Sequence, residues 1–156
     1  MQVHLEEKSV VAASTQFWEQ MLAMKLEQFY FDDQFCVHHG HVLGLVELGG
    51  AWKGRIEVRM STGLAQEATA AMLMQPVESV CVADTLDATK EIANMIAGTI
   101  KSALPRPCTM TVPQSCIFDD EFCHLSNSKD SMVVAFKHLS GELMVRVVES
   151  QDPVVL

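Results

Sequence analysis

The chain has 156 residues, 49% of them hydrophobic and 20% charged, enough for one domain with a buried core. Its 11 basic residues against 20 acidic ones give a net charge of −9, which argues against nucleic acid and anionic membranes as partners. The five cysteines (36, 81, 108, 116 and 123) show no C-x-x-C spacing, and Met1–Lys8 lacks a basic stretch ahead of an apolar one. No apolar run approaches the roughly eighteen residues needed to cross a membrane, so the expectation is a cytoplasmic protein without a signal peptide, its thiols reduced and buried.

Residues 1–9 are polar and read as a loose end. From Ser9 to about Phe29, the spacing of Val10, Ala13, Phe17, Met21, Met24 and Gln28, with Leu22 and Leu26 beside them, predicts an amphipathic helix. Phe31–Val37 reads as a short strand. Val42–Leu48 and Trp52–Met60 read as a hairpin turning at Gly49-Gly50. Ile56, Val58 and Met60 alternate with Arg55, Glu57 and Arg59, as a strand with one buried face requires. Thr62 is expected to cap a short helix, Leu64–Met74, closed by Gln75-Pro76.

A second long helix is predicted from about Thr85 to Ala103. Asp84 or Thr85 is its expected N-cap, Asp87 lies in the first turn where the dipole favours an acid, and Leu104-Pro105-Arg106-Pro107 is the stop. Ala88, Ile92, Met95, Ile96, Thr99 and Ala103 form the expected buried stripe. Lys90, Glu91, Asn94, Ala97, Gly98 and Lys101 fall on the other side. Glu91 and Asn94, three residues apart, project from neighbouring points of that surface. Ala97 and Gly98, one turn on, leave room for another protein's backbone. Inside a helix Gly98 costs about 1 kcal/mol against Ala and Asn94 roughly 0.6. A helix that keeps both beside an acid either uses them at its surface or simply packs a small residue against a neighbour.

Past the prolines the expected strands are Cys108–Phe118, Phe122–Ser126, Ser131–Leu139 and Glu142–Glu149, with turns at Asn127–Asp130 and Ser140-Gly141 and a tail from about residue 150. Met132, Val134 and Phe136 oppose Val133, Ala135 and Lys137, while Leu143, Val145 and Val147 share one face. The fold class is α+β: a largely antiparallel sheet packed against long helices, in a single domain with its core at about 10–149. The order of helix then strands, repeated, hints at two related halves.

Asp87, Glu91-x-x-Asn94 and the following Met-Ile-Ala-Gly, continuing through Leu104 to Thr109-Met110-Thr111-Val112-Pro113, resemble the CheC/CheX/FliY family of chemotaxis phosphatases, and the CheX branch most. Gly54–Met60, Leu64-Ala65 and Ala71–Leu73 also look like that branch. The resemblance runs from about Phe17 to Val148 and is specific over Leu43–Phe118. It implies two loosely related α–β halves with one Glu-x-x-Asn motif where CheC relatives carry two. The first predicted helix has no such motif, since Leu22 follows Glu19 and Tyr30 follows Glu27 at that spacing.

By that resemblance the substrate is a CheY-type receiver domain phosphorylated on an aspartate, and the protein is a hydrolase. Asn94 would orient the attacking water, and Glu91 would pair with the receiver's lysine. Asp87, Lys90, Ala97, Gly98 and Lys101 make up the expected partner-binding surface, with Asp87 as a cap or rim contact. No cofactor is implied on this chain, because the receiver carries the magnesium ion. The resemblance also implies a homodimer, for which the strands Ser131–Glu149 would provide an edge. The alternative function is a non-catalytic adaptor that binds a receiver or a flagellar or chemotaxis partner, with Lys90 and Lys101 weakening the docking of a lysine on Glu91.

Other chemistries fit less well. In Cys36-Val37-His38-His39-Gly40-His41, strand alternation gives no face three local ligands, so zinc would need Cys123 or His124 as well. No arginine lies six positions after a cysteine, as a thiol phosphatase requires. The adjacent pairs Asp32-Asp33 and Asp119-Asp120 lack the Asp-x-Asp spacing of aspartate-nucleophile phosphatases. Nucleophile elbow and P-loop patterns are absent. The expectation is therefore no metal site.

Overall fold

Two hairpins form the middle of the sheet. In a computed structural model, which describes residues 5–30, 36–37, 40–118, 123–124 and 130–150, β3 (His41–Gly50) pairs antiparallel with β4 (Gly54–Ser61), and β8 (Ser131–His138) with β9 (Gly141–Glu149). β4 and β9 then pair with each other, Ile56 opposite Val147 and Val58 opposite Val145. On the flanks, β1 (Glu27–Phe29) joins β8, and β5 (Cys108–Met110) and β6 (Gln114–Phe118) both join β3. The order is β1-β8-β9-β4-β3-β5, with β6 also on β3. A separate pair joins β2 (Cys36–Val37) to β7 (Cys123–His124).

This order contains a two-fold relation. Exchanging β1 with β6, β3 with β8 and β4 with β9 leaves every pairing among these strands intact. The helices obey it as well: α1 (Glu7–Met21) packs on β8, and α3 (Val82–Lys101) packs on β3. The α+β class and the two related halves therefore hold. β8 and β9 lie inside the sheet, so the expectation that Ser131–Glu149 forms an edge is corrected. The outer strands are β1 and β5–β6.

Alternation decides which face the helices cover. Val42, Val46 and Leu48 of β3, Ile56, Val58 and Met60 of β4, Val134 and Phe136 of β8, and Leu143, Val145 and Val147 of β9 all enter one core with Trp18, Trp52, Ile92 and Ile96. Truncating one such side chain costs about 2–5 kcal/mol. On the opposite face Glu57 is 6% exposed at its side chain and receives Arg55 Nε at 3.2 Å, Arg59 Nη2 at 3.2 Å and Arg146 Nη1 at 3.4 Å. Arg59 Nη1 lies 3.0 Å from His41 Nε2, and that imidazole stacks on Phe118 at 5.0 Å. The Arg-x-Glu-x-Arg run of β4 is thus a charge cluster around a buried carboxylate.

Several element ends differ from expectation. The first helix stops at Met21. Ala23 adopts φ 52°, and the Met24 N–H turns back to the Trp18 carbonyl at 2.9 Å. Residues 27–29, expected within that helix, are strand β1, and Met21 is exposed. Helix α2 (Thr62–Leu73) has Ser61 as its N-cap, with Thr62 already helical. The expected strand 108–118 is divided: Leu45 pairs with Gln114 and Leu48 with Met110, so Val46-Glu47 face Thr111–Pro113. Pro113 has no N–H to donate, and Thr111 takes over by donating its N–H to the Glu47 carbonyl at 2.9 Å. The cysteines 81, 108 and 116 are free, but Cys81 and Cys116 are exposed, contrary to the expectation of buried thiols. Phe31–Phe35 of the expected strand 31–37, and the histidines 38 and 39, lie outside the described residues.

Candidate active site

Helix α3 starts three residues earlier than the sequence suggested. Cys81 is the N-cap, and its backbone N–H donates to Asp84 Oδ2 at 3.3 Å. An acid at the third helical position fills this role by satisfying a backbone donor near the positive end of the dipole. Asp84 is therefore within the first turn, and Asp87 stands one turn further in, exposed and away from the cap. At the other end Ala103 and Leu104 donate to Ile100 and Lys101 at 2.9 and 3.0 Å, a tightening of the last turn before Pro105. Leu104 is buried and anchors the exit.

The helix's orientation is fixed from below. A Cβ built on Gly44 of β3 would lie 2.8 Å from Ala93 Cβ and 3.0 Å from the Thr89 carbonyl, so α3 rests against the strand where no side chain fits. Beside it Ser115 of β6 donates to the Leu86 carbonyl at 2.8 Å. The buried face consists of Thr85, Ala88, Thr89, Ile92, Ala93, Ile96, Ala97 and Ile100. Thr85 and Thr89 satisfy their hydroxyls on the carbonyls four residues back, at 3.3 and 2.7 Å.

That face is rotated relative to the expected one. Met95 and Thr99, expected in the core, are exposed, and Ala103 lies beyond the helix. Ala97, expected on the partner-facing side, is fully buried. The cause is width: α3 is covered by β3 and β6 and by α1 and α2 together, so a small residue at its flank is enclosed too. Ala97 has no surface with which to touch a partner.

The remaining site residues stay on the open side. Glu91, Asn94 and Asp87 are exposed, and Lys90, Gly98 and Lys101 are half-buried. Among the described residues, neither Glu91 nor Asn94 spends its side chain on a hydrogen bond, and neither lysine forms an ion pair. Asp87 and Glu91 border a groove between α1, α2 and α3, whereas Gly98 and Lys101 border another of about 470 Å³ with Ser102 and Arg106. Asn94 sits between the two groups on the helix. A Cβ on Gly98 would meet only Met110 Cε at 4.0 Å.

A carboxylate and an amide on one exposed helical face can accept a cation and hold a water, since an amide both donates and accepts hydrogen bonds without titrating. Among the described residues no group of three or more His, Cys, Asp or Glu is arranged to hold a metal ion, and no helix is long and apolar enough to cross a membrane.

The profile of the family described as chemotaxis phosphatase CheX matches residues 42–137. The chain belongs to the CheX family. No individually curated protein matches it in sequence. Among solved structures, a Desulfovibrio desulfuricans chemotaxis protein CheX is similar with TM-score 0.74 at 23% identity, covering 92% of this chain and 97% of that one. The CheX of a Borrelia burgdorferi CheX–CheY–BeF3–Mg complex is similar with TM-score 0.69 at 17% identity, covering 95% of this chain and all of that one. Thermotoga maritima FliY is similar with TM-score 0.60 at 12% identity, covering 94% and 92%. At these identities the likeness shows a shared CheX/CheC-like fold.

Proposed function

We propose that this CheX-family chain hydrolyses the aspartyl phosphate of a CheY-type receiver domain. The observation that carries the reading is the pair Glu91 and Asn94, exposed on one face of α3 with both side chains uncommitted. The match to the chemotaxis phosphatase CheX family and the likeness to a CheX solved with CheY, BeF3 and magnesium support it.

In this mechanism α3 lies across the receiver's phosphorylation site. Glu91 pairs with the receiver's lysine and fixes the helix register. The Asn94 amide holds a water in line with the bond to be broken. The water oxygen bonds to phosphorus as the bond from phosphorus to the aspartate oxygen breaks. The carboxylate departs with the bonding pair, and the water's proton leaves with inorganic phosphate or solvent. The transition state is loose, so position and electrostatics count for more than a strong base. The receiver's own magnesium ion serves the phosphoryl oxygens. Asp87 and Lys90 lie at the rim of the contact. Gly98 lets the partner's backbone close in near Lys101.

The test is the decay of phosphate on purified receivers with wild type and Asn94→Ala side by side. Acceleration by wild type alone supports the reading. Binding without acceleration on any receiver gives the adaptor instead. A homodimer belongs to the same proposal and has the outer strands β1 and β5–β6 to build on. Light scattering that finds only a 17.2 kDa species at micromolar concentration removes it.

A further inference from the structure

The groove that Asp87 and Glu91 border is lined by methionines. Met21 from α1, Met72 and Met74 from the end of α2, and Met95 from α3 meet around about 480 Å³. Met21 is 64% exposed and Met74 92%. Asp84 joins Asp87 and Glu91 on the rim, and no lysine, arginine or histidine lines it.

Met74 is the informative residue. It ends α2 in the left-handed conformation, φ 54° and ψ 45°, and the turn closes with the Gln75 N–H on the Ala70 carbonyl at 3.0 Å. Glycine makes this turn without strain, and asparagine tolerates it. Nothing in the backbone geometry calls for methionine. The position combines an unfavourable backbone state with a long apolar side chain held in water, beside the candidate site. Such an outlier points to the surface as the reason for it. Unbranched thioethers also adapt to irregular apolar shapes.

We infer that this groove is a second docking area for the receiver, seating an apolar side chain next to the lysine that Glu91 engages, and that it sets which receiver is chosen. The inference rests on the proposed phosphatase reading. Its occupant follows from continuity and charge: the groove shares Glu91 with the catalytic face, its floor is apolar, and its rim is anionic. An apolar side chain beside a cation matches both. The groove contributes to binding before and during hydrolysis alike, so it acts on KM rather than on kcat.

The experiment uses a receiver that the wild-type protein dephosphorylates, and the full chain with Met74→Gly, Met21→Gln or Asn94→Ala. Removing strain, Met74→Gly melts about 2 °C higher than wild type. Despite that gain it raises KM, and the Kd for the beryllofluoride-activated receiver, about tenfold with kcat within twofold of wild type. Met21→Gln, from the opposite wall, raises KM in the same direction without needing a backbone change. Unchanged KM and Kd in both variants overturn the inference, and loss of kcat in Asn94→Ala in the same series leaves the phosphatase reading standing. If Asn94→Ala keeps full kcat while Met74→Gly still weakens binding, the groove stands and the catalytic assignment falls. A wild type that binds no receiver removes both. A dimer that Met74→Gly splits, with receiver KM unchanged, gives the groove to a second copy of this chain and overturns the inference.

Discussion

Helices α1 and α3 occupy related places, one in each half, and are built differently. Under the two-fold relation that pairs Val58 with Val145, Gly44 of β3 corresponds to Val134 of β8. Beneath α3 the sheet has no side chain, and Ala93 comes down on the strand itself. Beneath α1 a buried valine occupies the related position, and the helix fills its side of the core with Phe17 and the fully buried Trp18. The 20-residue α3 buries alanines, threonines and isoleucines and leaves Glu91 and Asn94 outward; the 15-residue α1 ends before Leu22 and has no such pair. A shared topology thus does not impose a shared surface. One missing side chain in the sheet lets one helix bed deeply, with its outer face held at a fixed height.

The predicted experiments act on that contrast. The largest effect is on chemistry: Asn94→Ala lowers kcat on a phosphorylated receiver by about a hundredfold or more, the scale of losing one placed polar group. Because Asn94 is exposed in a helix interior, replacing it by Ala does not lower the melting temperature and raises it by about 1–2 °C, which separates lost chemistry from lost structure. Next, Gly44→Ala forces α3 away from β3 and destabilises by about 2 kcal/mol. Urea titration reads this as a lower midpoint at unchanged slope, and a neutral result would mean that the close approach does not position the helix. Third, Leu22→Asn writes Glu-x-x-Asn onto α1, starting from Glu19. In an Asn94→Ala background it restores no phosphatase activity, because Leu22 lies past the last helical residue and packs against the core. It costs about 1 kcal/mol. Last, Gly98→Ala meets only Met110 Cε at 4.0 Å. It stabilises by up to about 1 kcal/mol, and it weakens receiver binding measurably if the partner's backbone closes on that turn.

The central strands and the exposure of Glu91 and Asn94 were legible in the sequence because period-2 and period-3.6 patterns are unambiguous there. The end of α1 was not. Met24, Leu26 and Gln28 continue the helical stripe well enough, yet they also alternate, and the break falls at Ala23, which carries no turn signature. The start of α3 was hidden because cysteine is an uncommon N-cap, while Asp84, a familiar one, serves as the reciprocal acid. Ala97 is ambiguous in the sequence because alanine fits either face, and only the cover provided by the neighbouring strands and helices decides. The two-fold relation was visible only as an order of elements, since it resides in strand pairing rather than in residue identity. The roles proposed for Asn94 and Glu91 come from resemblance to a family, not from spacing.

The cluster around Glu57 bears on how a partner finds this molecule. On that face three guanidiniums surround one carboxylate, and Glu27, Glu47, Lys137 and Glu142 share it, whereas Asp84, Asp87 and Glu91 border the groove beside α3, with Lys90 and Lys101 further round the helix. At physiological salt, charge is felt over about 8 Å, less than the roughly 10 Å diameter of the helix that stands between the two surfaces. An approaching protein therefore meets either a sheet face of mixed charge or an acidic groove edge, and not the average of −9. Encounter at α3 is steered by the charges on that helix and its groove, so changing salt should alter the association rate there whatever the molecule's total charge.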